Sequence, residues 1–400
     1  MRRILIFSLV YYPNMIGGAE VAIKEITDRI PDSEIEFDMV ALRLDRKLPK
    51  FEKIGNVNIH RIGWTGKQKT LSDSLPPYLH LNKYAYLALG LFKAISLNRK
   101  RKYDAIWSLM ATYNSFAAVL FKLAHPKIPF IFTLQDGDPI PYLKRRARPL
   151  YPMFKMMFTR ADAIQAISKY LADWALDMGA KCPVTIVPNG VDYRFFSKQV
   201  SGGRLGALKA QLGKREGDIF LITVSRLVAK NAVGDIIQAL NYLPINIKLL
   251  IAGTGYEEER LKKMVRTGPT GVHRSDRCEP SVIFLGHVPH ADLPMYLQAS
   301  NIFIRPSLSE GFGNSFVEAM AAGIPVIATP VGGIVDFLRD GETGLFCEVR
   351  NPRSIAEKVE RLIDNEGLQN SLVINARRMV EDKYDWNKIA NEMKMIFAGV

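Results

Sequence analysis

Short, continuous apolar runs recur along the chain, each followed by a polar loop and then by a stretch of helical period. Arg3–Tyr11 (RILIFSLVY) leads through a loop with Gly17 and Gly18 into an amphipathic pattern at Ala19–Ile30. Ile219–Ser225 (IFLITVS) does the same, passing a loop to Lys230 and then Val233–Leu240. Further runs lie at Ala105–Leu109, Phe130–Leu134, Ala163–Ile167 and Val184–Val187 in the first half. The second half adds Ile247–Ala252, Val282–Leu285, Ile302–Arg305, Pro325–Ala328 and Leu345–Cys347. Runs without polar alternation are strands covered on both faces, and their alternation with helices predicts parallel sheets. Because the pattern restarts in mid-chain, two doubly wound α/β domains in tandem are expected.

The turn residues Pro188-Asn189-Gly190-Val191-Asp192 close the first half, and Ser197–Leu205, with Ser201-Gly202-Gly203, reads as a linker. The domains are therefore expected at 1–198 and 199–384. Thr267–Ser281, carrying Gly268, Pro269, Gly271 and Pro280, reads as an inserted surface loop. A length of 400 residues exceeds one ordinary core, and 48% hydrophobic with 24% charged residues excludes wholesale disorder, collagen or a coiled-coil rod. Three scattered cysteines, Cys182, Cys278 and Cys347, signal neither a disulfide framework nor a zinc site and suit a reducing cytoplasm. The opening MRRILIFSLVYYP lacks a small-residue cleavage site and reads as a buried strand. The most apolar stretch, Tyr84–Leu97, is interrupted by Lys93 and is too short to span a bilayer.

Charge separates the halves. Residues 1–200 hold 30 basic and 17 acidic side chains, whereas residues 201–400 hold 24 and 23. A positive field of this kind concentrates anionic partners on the first half. Arg99-Lys100-Arg101-Lys102 and Lys144-Arg145-Arg146 flank the apolar and aromatic stretches Tyr84–Leu97 and Pro149–Phe158. That combination favours an anionic membrane face, and the competing reading puts both stretches in the core with solvated basic ends.

Candidate chemistry gathers at loops after strands. Pro13–Glu20 (PNMIGGAE) sets glycines at the mouth of a helix, where phosphate can approach backbone N–H groups. It is not the GxGxxG of a nicotinamide enzyme. Gly253-Thr254-Gly255 is a weaker signal of the same kind, followed by an acidic helix turn. Ser307–Gly333 says most. Glu310 lies in a glycine-flanked loop after a strand, Asn314 or Ser315 can cap a helix running to about Ala322, and Glu318 sits early in that helix. Paired carboxylates hold vicinal hydroxyls through charge-assisted hydrogen bonds. Arg226 and Lys230, four residues apart beyond another strand, offer a fork and a point charge for phosphate oxygens. Each feature alone is also compatible with surface charge; together they favour a diphosphate site.

These residues resemble the large retaining glycosyltransferase family of GT-B fold that includes sucrose-phosphate synthase and bacterial lipid-linked mannosyl- and glucosyltransferases. The matching segments are GGAE (17–20), NGVD (189–192), SRLVAK (225–230), EGFGNSFVE (310–318), GIPVIATPVGG (323–333) and DGETGLF (340–346). The resemblance implies two Rossmann-like domains facing across a cleft, acceptor on the first and nucleotide sugar on the second, with Asp385–Phe397 crossing back to the first. It implies Glu310 near the transferred sugar, Glu318 on the ribose, and Arg226 and Lys230 as a diphosphate clamp. Backbone at Gly311, Phe312 and Gly313 would meet sugar hydroxyls, Gly17 and Gly18 would close on the diphosphate, and Asn189 and Asn314 would line the donor site. On the acceptor side the family's histidine is replaced by Gln135, followed by Asp136; glutamine hydrogen-bonds a hydroxyl but does not titrate near neutrality.

The resemblance further implies a retaining hexosyl transfer from a UDP- or GDP-sugar to a glycan or polyprenyl- or lipid-linked acceptor in envelope polysaccharide synthesis. The expected setting is cytoplasmic, peripheral on an anionic membrane face, with no cofactor, no metal and no nucleic acid. A GT-B epimerase or phosphorylase is the nearer alternative. A non-enzymatic nucleic-acid binder would explain the charge but not the paired glutamates.

Overall fold

A computed structural model of the chain describes residues 1–13, 17–66, 77–267 and 282–400. Asn14–Ile16 of the first glycine loop, most of the expected surface loop at 267–281 and Cys278 lie outside the described residues. Two compact units are formed, Met1–Gly190 with Trp386–Val400, and Val191–Asp385.

In the first unit, β1 (Arg2–Phe7), β2 (Ile35–Leu42), β3 (Phe51–Ile54), β4 (Val57–Ile62), β5 (Ala105–Leu109), β6 (Phe130–Leu134), β7 (Ala163–Ala166) and β8 (Val184–Ile186) form one sheet. Its order is β3-β4-β2-β1-β5-β6-β7-β8, parallel except where β3 meets β4. In the second unit, β9 (Ile219–Val224), β10 (Ile247–Ala252), β11 (Val282–Gly286), β12 (Ile302–Arg305), β13 (Val326–Ala328) and β14 (Leu345–Phe346) form an all-parallel sheet ordered β11-β10-β9-β12-β13-β14. After β11 the chain crosses to the other side of β9 to begin β12. The reversal leaves a crevice beyond the carboxyl ends of β9 and β12, where open α/β sheets take ligands. In the first unit the corresponding reversal separates β1 from β5.

The strands β2, β3 and β4 are additions to the expected set. Asp38 interrupts the apolar run of β2, yet it is fully buried, accepting from Tyr103 Oη at 2.8 Å and Arg101 Nη1 at 3.0 Å and lying 3.3 Å from His60 Nε2. Burial opposes ionisation of Asp38, but the His60 and Tyr103 hydrogen bonds and the Arg101 charge outweigh it and hold the carboxyl below its ordinary range. Arg101, in a basic run expected to face an anionic membrane or, in the competing reading, solvent, is tied into the sheet through Asp38 and Glu36.

The expected linker is occupied by structure. The helices Tyr193–Ser197 and Gly202–Gln211 enter it from both ends, and the units divide after Gly190 rather than at 198. Val191 N–H donates to Tyr384 O at 2.7 Å, so the first and last residues of the second unit run side by side. The helix Trp386–Gly399 belongs to the first unit: Trp386, Ile389, Met393 and Phe397 enter the core with Ile4, Ile6, Phe37 and Trp107. Arg2 donates to Phe397 O and, at 2.6 Å, to Val400 O. No helix among the described residues is long and apolar enough to cross a membrane.

Candidate functional site

The second unit gathers its charged residues at the crevice beside β9 and β12. Beyond β9 the chain makes a tight loop, Ser225–Val228, then a 3-10 turn at Ala229–Asn231 that carries Lys230. Arg226 is exposed and Lys230 half-buried. The loop rests on the backbone of Gly253–Glu257. Leu227 N–H donates to Thr254 O at 2.9 Å, and Glu257 N–H returns to Leu227 O at 3.0 Å. A Cβ on Gly253 would stand 1.8 Å from Ser225 O, and one on Gly255 2.2 Å from Leu227 O. The GTG segment thus backs the Arg226 loop by close backbone approach; its glycines are needed for space.

Beyond β12 lies Pro306–Gly313, with Glu310 buried in it. Leu308 N–H donates to Lys230 O at 2.7 Å, joining this loop to the turn that carries Lys230. Thr329 Oγ1 donates to Ser307 O, and Gly333 N–H to Glu310 O at 3.1 Å. Gly332 has φ +55°, and a Cβ there would fall 1.9 Å from Glu310 O. The TPVGG segment after β13 is therefore the floor on which Glu310 stands.

The helix Asn314–Ala322 begins where expected but is capped differently. Gly313, at φ +96°, is its N-cap, and no side chain caps it. Ser315, one of the two expected caps, instead accepts from Arg305 Nη1 at 2.9 Å. Gly323, at φ +82°, ends the helix and donates to Ala319 O and Met320 O. An N-terminus without a side-chain cap presents N–H groups toward the crevice, where they favour negative charge. Phe312 is buried against Phe337 and Tyr384, with ring centroids 5.2 and 5.5 Å away, so only its backbone is available to a ligand. Glu318 is largely buried and lies 3.2 Å from His290 Nε2. The His290 ring stacks near Phe195 and meets Phe196 edge-on.

Three residues at this crevice carried no signal in the motif reading. Arg305, at the carboxyl end of β12, donates to Glu310 and, at 3.2 Å, to Asn231 Oδ1. Asn231 Nδ2 donates to Arg226 O at 2.7 Å. His290 is the third. A cation closing a buried strand five residues before an isolated glutamate is the feature that could have flagged Arg305.

The remaining candidates belong to the first unit. Gly17 is the N-cap of the helix Gly18–Asp28, and its N–H donates to Glu20 Oε2 at 2.8 Å, so the acid of GGAE occupies that donor. Asn189 is buried and its Oδ1 accepts from Gln135 Nε2 at 3.3 Å, so it is held beside the residue at the family's histidine position. Asp136 is buried and takes Ala111 N–H at 3.0 Å, bracing the loop after β5 at the sheet's reversal. No group of three or more His, Cys, Asp or Glu among the described residues could hold a metal ion.

Two α/β units, each built on a largely parallel sheet, are the GT-B fold. The model "Glycosyl transferases group 1" matches residues 206–379 and "Glycosyltransferase Family 4" matches 16–195, and the chain is a glycosyltransferase. N-acetyl-alpha-D-glucosaminyl L-malate synthase of Bacillus anthracis is 26% identical over 97% of this chain and 95% of that one. The structure of sucrose-phosphate synthase from Thermosynechococcus elongatus superposes with TM-score 0.81 at 20% identity, covering 100% of this chain and 99% of that one. HepE of Anabaena, solved in complex with UDP-glucose, gives TM-score 0.78 at 18% identity with both chains fully covered, 100% each.

Proposed function

We propose that the chain is a retaining hexosyltransferase that takes a hexose from a UDP- or GDP-sugar and passes it to a hydroxyl of a glycan or lipid-linked acceptor. The observation that carries the donor reading is the hydrogen-bonded union of two loops: Leu308 N–H on Lys230 O brings the Glu310 loop and the Lys230 turn to one crevice. In this reading Arg226 and Lys230 hold the diphosphate, Glu318 the ribose and Glu310 the hexose, with Asn314 and the backbone of Gly311–Gly313 completing the sugar pocket. A UDP-glucose complex of HepE, which shares the fold, supports the donor class.

Transfer breaks the bond from the sugar's anomeric carbon to the diphosphate oxygen and forms one to the acceptor oxygen on the same face. The acceptor's proton passes to the departing diphosphate oxygen. No titrating base is required in that scheme, which agrees with a glutamine at 135. Charge developing on the leaving group is met by Arg226, Lys230 and the N-terminus of Asn314–Ala322, so catalysis is mainly positioning and charge stabilisation. Gln135 and Asp136 are assigned to the acceptor side and Asn189 to the donor side, and no cofactor or metal is invoked.

The acceptor reading rests on the surface of the first unit. In the helix Pro77–Arg101, Tyr86, Ala94 and Leu97 are buried while Leu81, Tyr84, Leu89 and Phe92 are exposed, Phe92 by 68%. Tyr84 meets Tyr113 at 5.0 Å, and Arg146 lies over the same ring at 5.7 Å. Exposed Tyr142, Leu150 and Tyr151 flank Arg145, Arg146 and Arg148. Aromatic and aliphatic side chains among arginines suit an anionic cytoplasmic membrane face holding a lipid-linked acceptor.

Thermal shift against UDP, GDP, ADP and NAD tests the donor reading. A nucleoside diphosphate at 100 times its dissociation constant stabilises by about 2.7 kcal/mol. The expected outcome is stabilisation by UDP or GDP that Lys230→Ala and Glu318→Ala abolish. Response to NAD alone, or to none of the four, overturns it.

A further inference from the structure

We infer that Arg305 is a positioning residue of the donor site: one buried guanidinium sets Glu310, the start of the Glu318 helix and the Arg226–Lys230 loop in register with one another. The inference rests on the donor reading above. Arg305 closes β12 at the sheet's reversal and pairs in register with Ala328 of β13. Its side chain is 11% exposed and lies over the Phe316 ring at 5.3 Å. One terminal nitrogen donates to Ser315 Oγ, in the first turn of the helix bearing Glu318. The other donates to both Glu310 and Asn231. Asn231, next to Lys230, passes the connection on through its amide N–H to the carbonyl of Arg226.

Two physical requirements meet in this residue. Glu310 is buried, and a buried carboxylate needs a paired charge. The Arg305 charge also cancels that of Glu310, so a carboxylate can stand beside an anionic diphosphate without repelling it. The flat fork then holds three acceptors in fixed directions, which a lysine ammonium does not reproduce. Phe316 keeps the plane from turning. Glu310 is thereby presented in one orientation before any ligand arrives.

Arg305→Lys keeps the charge and discards the fork; Asn231→Ala cuts only the arm to Arg226. Calorimetry would compare both with wild type, Glu310→Gln and the Arg305→Lys/Glu310→Gln pair, using UDP, GDP and ADP and then UDP-glucose, GDP-mannose and ADP-glucose, with Tm followed throughout. Arg305→Lys is expected to weaken the free diphosphate as Asn231→Ala does and, beyond that, to remove by about tenfold the affinity that the hexose adds, with no addition to the hexose loss of Glu310→Gln, as befits residues acting as one unit. Asn231→Ala is expected to weaken the free diphosphate by a similar factor, because it releases the clamp loop. Arg305→Lys weakening both ligand types equally, or adding fully to the hexose loss of Glu310→Gln, would mark the arginine as structural only and overturn the inference. Folded Asn231→Ala binding as wild type does the same, and settles the matter even if Arg305→Lys does not fold. Failure of wild type to bind any of the six probes removes the donor reading, and the Arg305 role with it.

Discussion

Gly332→Ala is the sharpest probe of how Glu310 is held. A Cβ at 332 would lie 1.9 Å from Glu310 O, and the residue sits at φ +55°. Two costs follow, and they separate. Left-handed backbone costs an alanine roughly 1–2 kcal/mol, which shifts the Tm of a unit this size by about 2–4 °C per kcal/mol. The overlap is a different matter, because the neighbour is backbone and has no rotamer to change. Relieving it moves the Glu310 carbonyl by roughly 1 Å, and misplacement on that scale costs about 100-fold in rate. Gly341→Ala supplies the control: φ is +74°, and nothing lies within 4 Å of the added carbon. Gly341→Ala should therefore bear only the backbone cost, whereas Gly332→Ala loses more stability and, with it, transfer. The assay is kcat/KM for hexose transfer from the nucleotide sugar selected by thermal shift, run well below either Tm. Equal activity in the two variants would refute the claim that the segment after β13 sets the position of Glu310.

Other consequences can be checked independently. The folded-state pKa of Asp38 is depressed, so its ionised form stabilises the first unit above the ordinary carboxylate pKa, and that contribution is lost as pH falls through the folded value. Asp38→Asn should lower Tm at neutral pH and flatten the Tm profile below about pH 5, read by circular dichroism; a steeper profile contradicts it. Because glutamine does not titrate, kcat/KM should carry no limb from position 135, whereas Gln135→His should introduce one near about pH 6.5. An unchanged profile in that variant would remove Gln135 from the acceptor side. Phe92→Glu, at an exposed position, should weaken co-sedimentation with phosphatidylglycerol vesicles at low salt while leaving nucleotide binding intact. Wild-type protein that ignores such vesicles would end the membrane reading.

The tandem α/β architecture was legible because strands such as β5, β6, β9 and β12 are mainly apolar runs without polar alternation, each followed by a helical pattern. The strands β2 to β4 were not. Asp38 breaks the run in β2, and its burial becomes intelligible only with Tyr103, His60 and Arg101 from distant segments around it. The same limit governs the site. Glu310, Glu318, Arg226 and Lys230 stood out because their chemistry and spacing are local. Arg305 did not, since its partners at 231, 310 and 315 meet only once β9 and β12 pair in register. Basic runs mislead for the converse reason: Arg101 is committed to the sheet, while its neighbours Arg99 and Lys100 are exposed. The stretch Pro149–Phe158 divides similarly, with Leu150 and Tyr151 outside and Phe154, Met157 and Phe158 in the core.

The path of the chain also fixes an order of synthesis. Residues 191–385 are contiguous, so the second unit has all its parts as soon as Asp385 has left the ribosome. The first unit begins earlier but waits, because Phe397 is needed beside Phe37 and Trp107, at centroid distances of 5.7 and 5.0 Å. Until the segment 386–400 arrives, the nascent sheet carries an uncovered aromatic seat at Phe37 and Trp107. A translation product stopped just short of Trp386 would hold a whole second half and an open first half. Such a product would be expected to retain nucleotide binding while being cleaved by protease within residues 1–190.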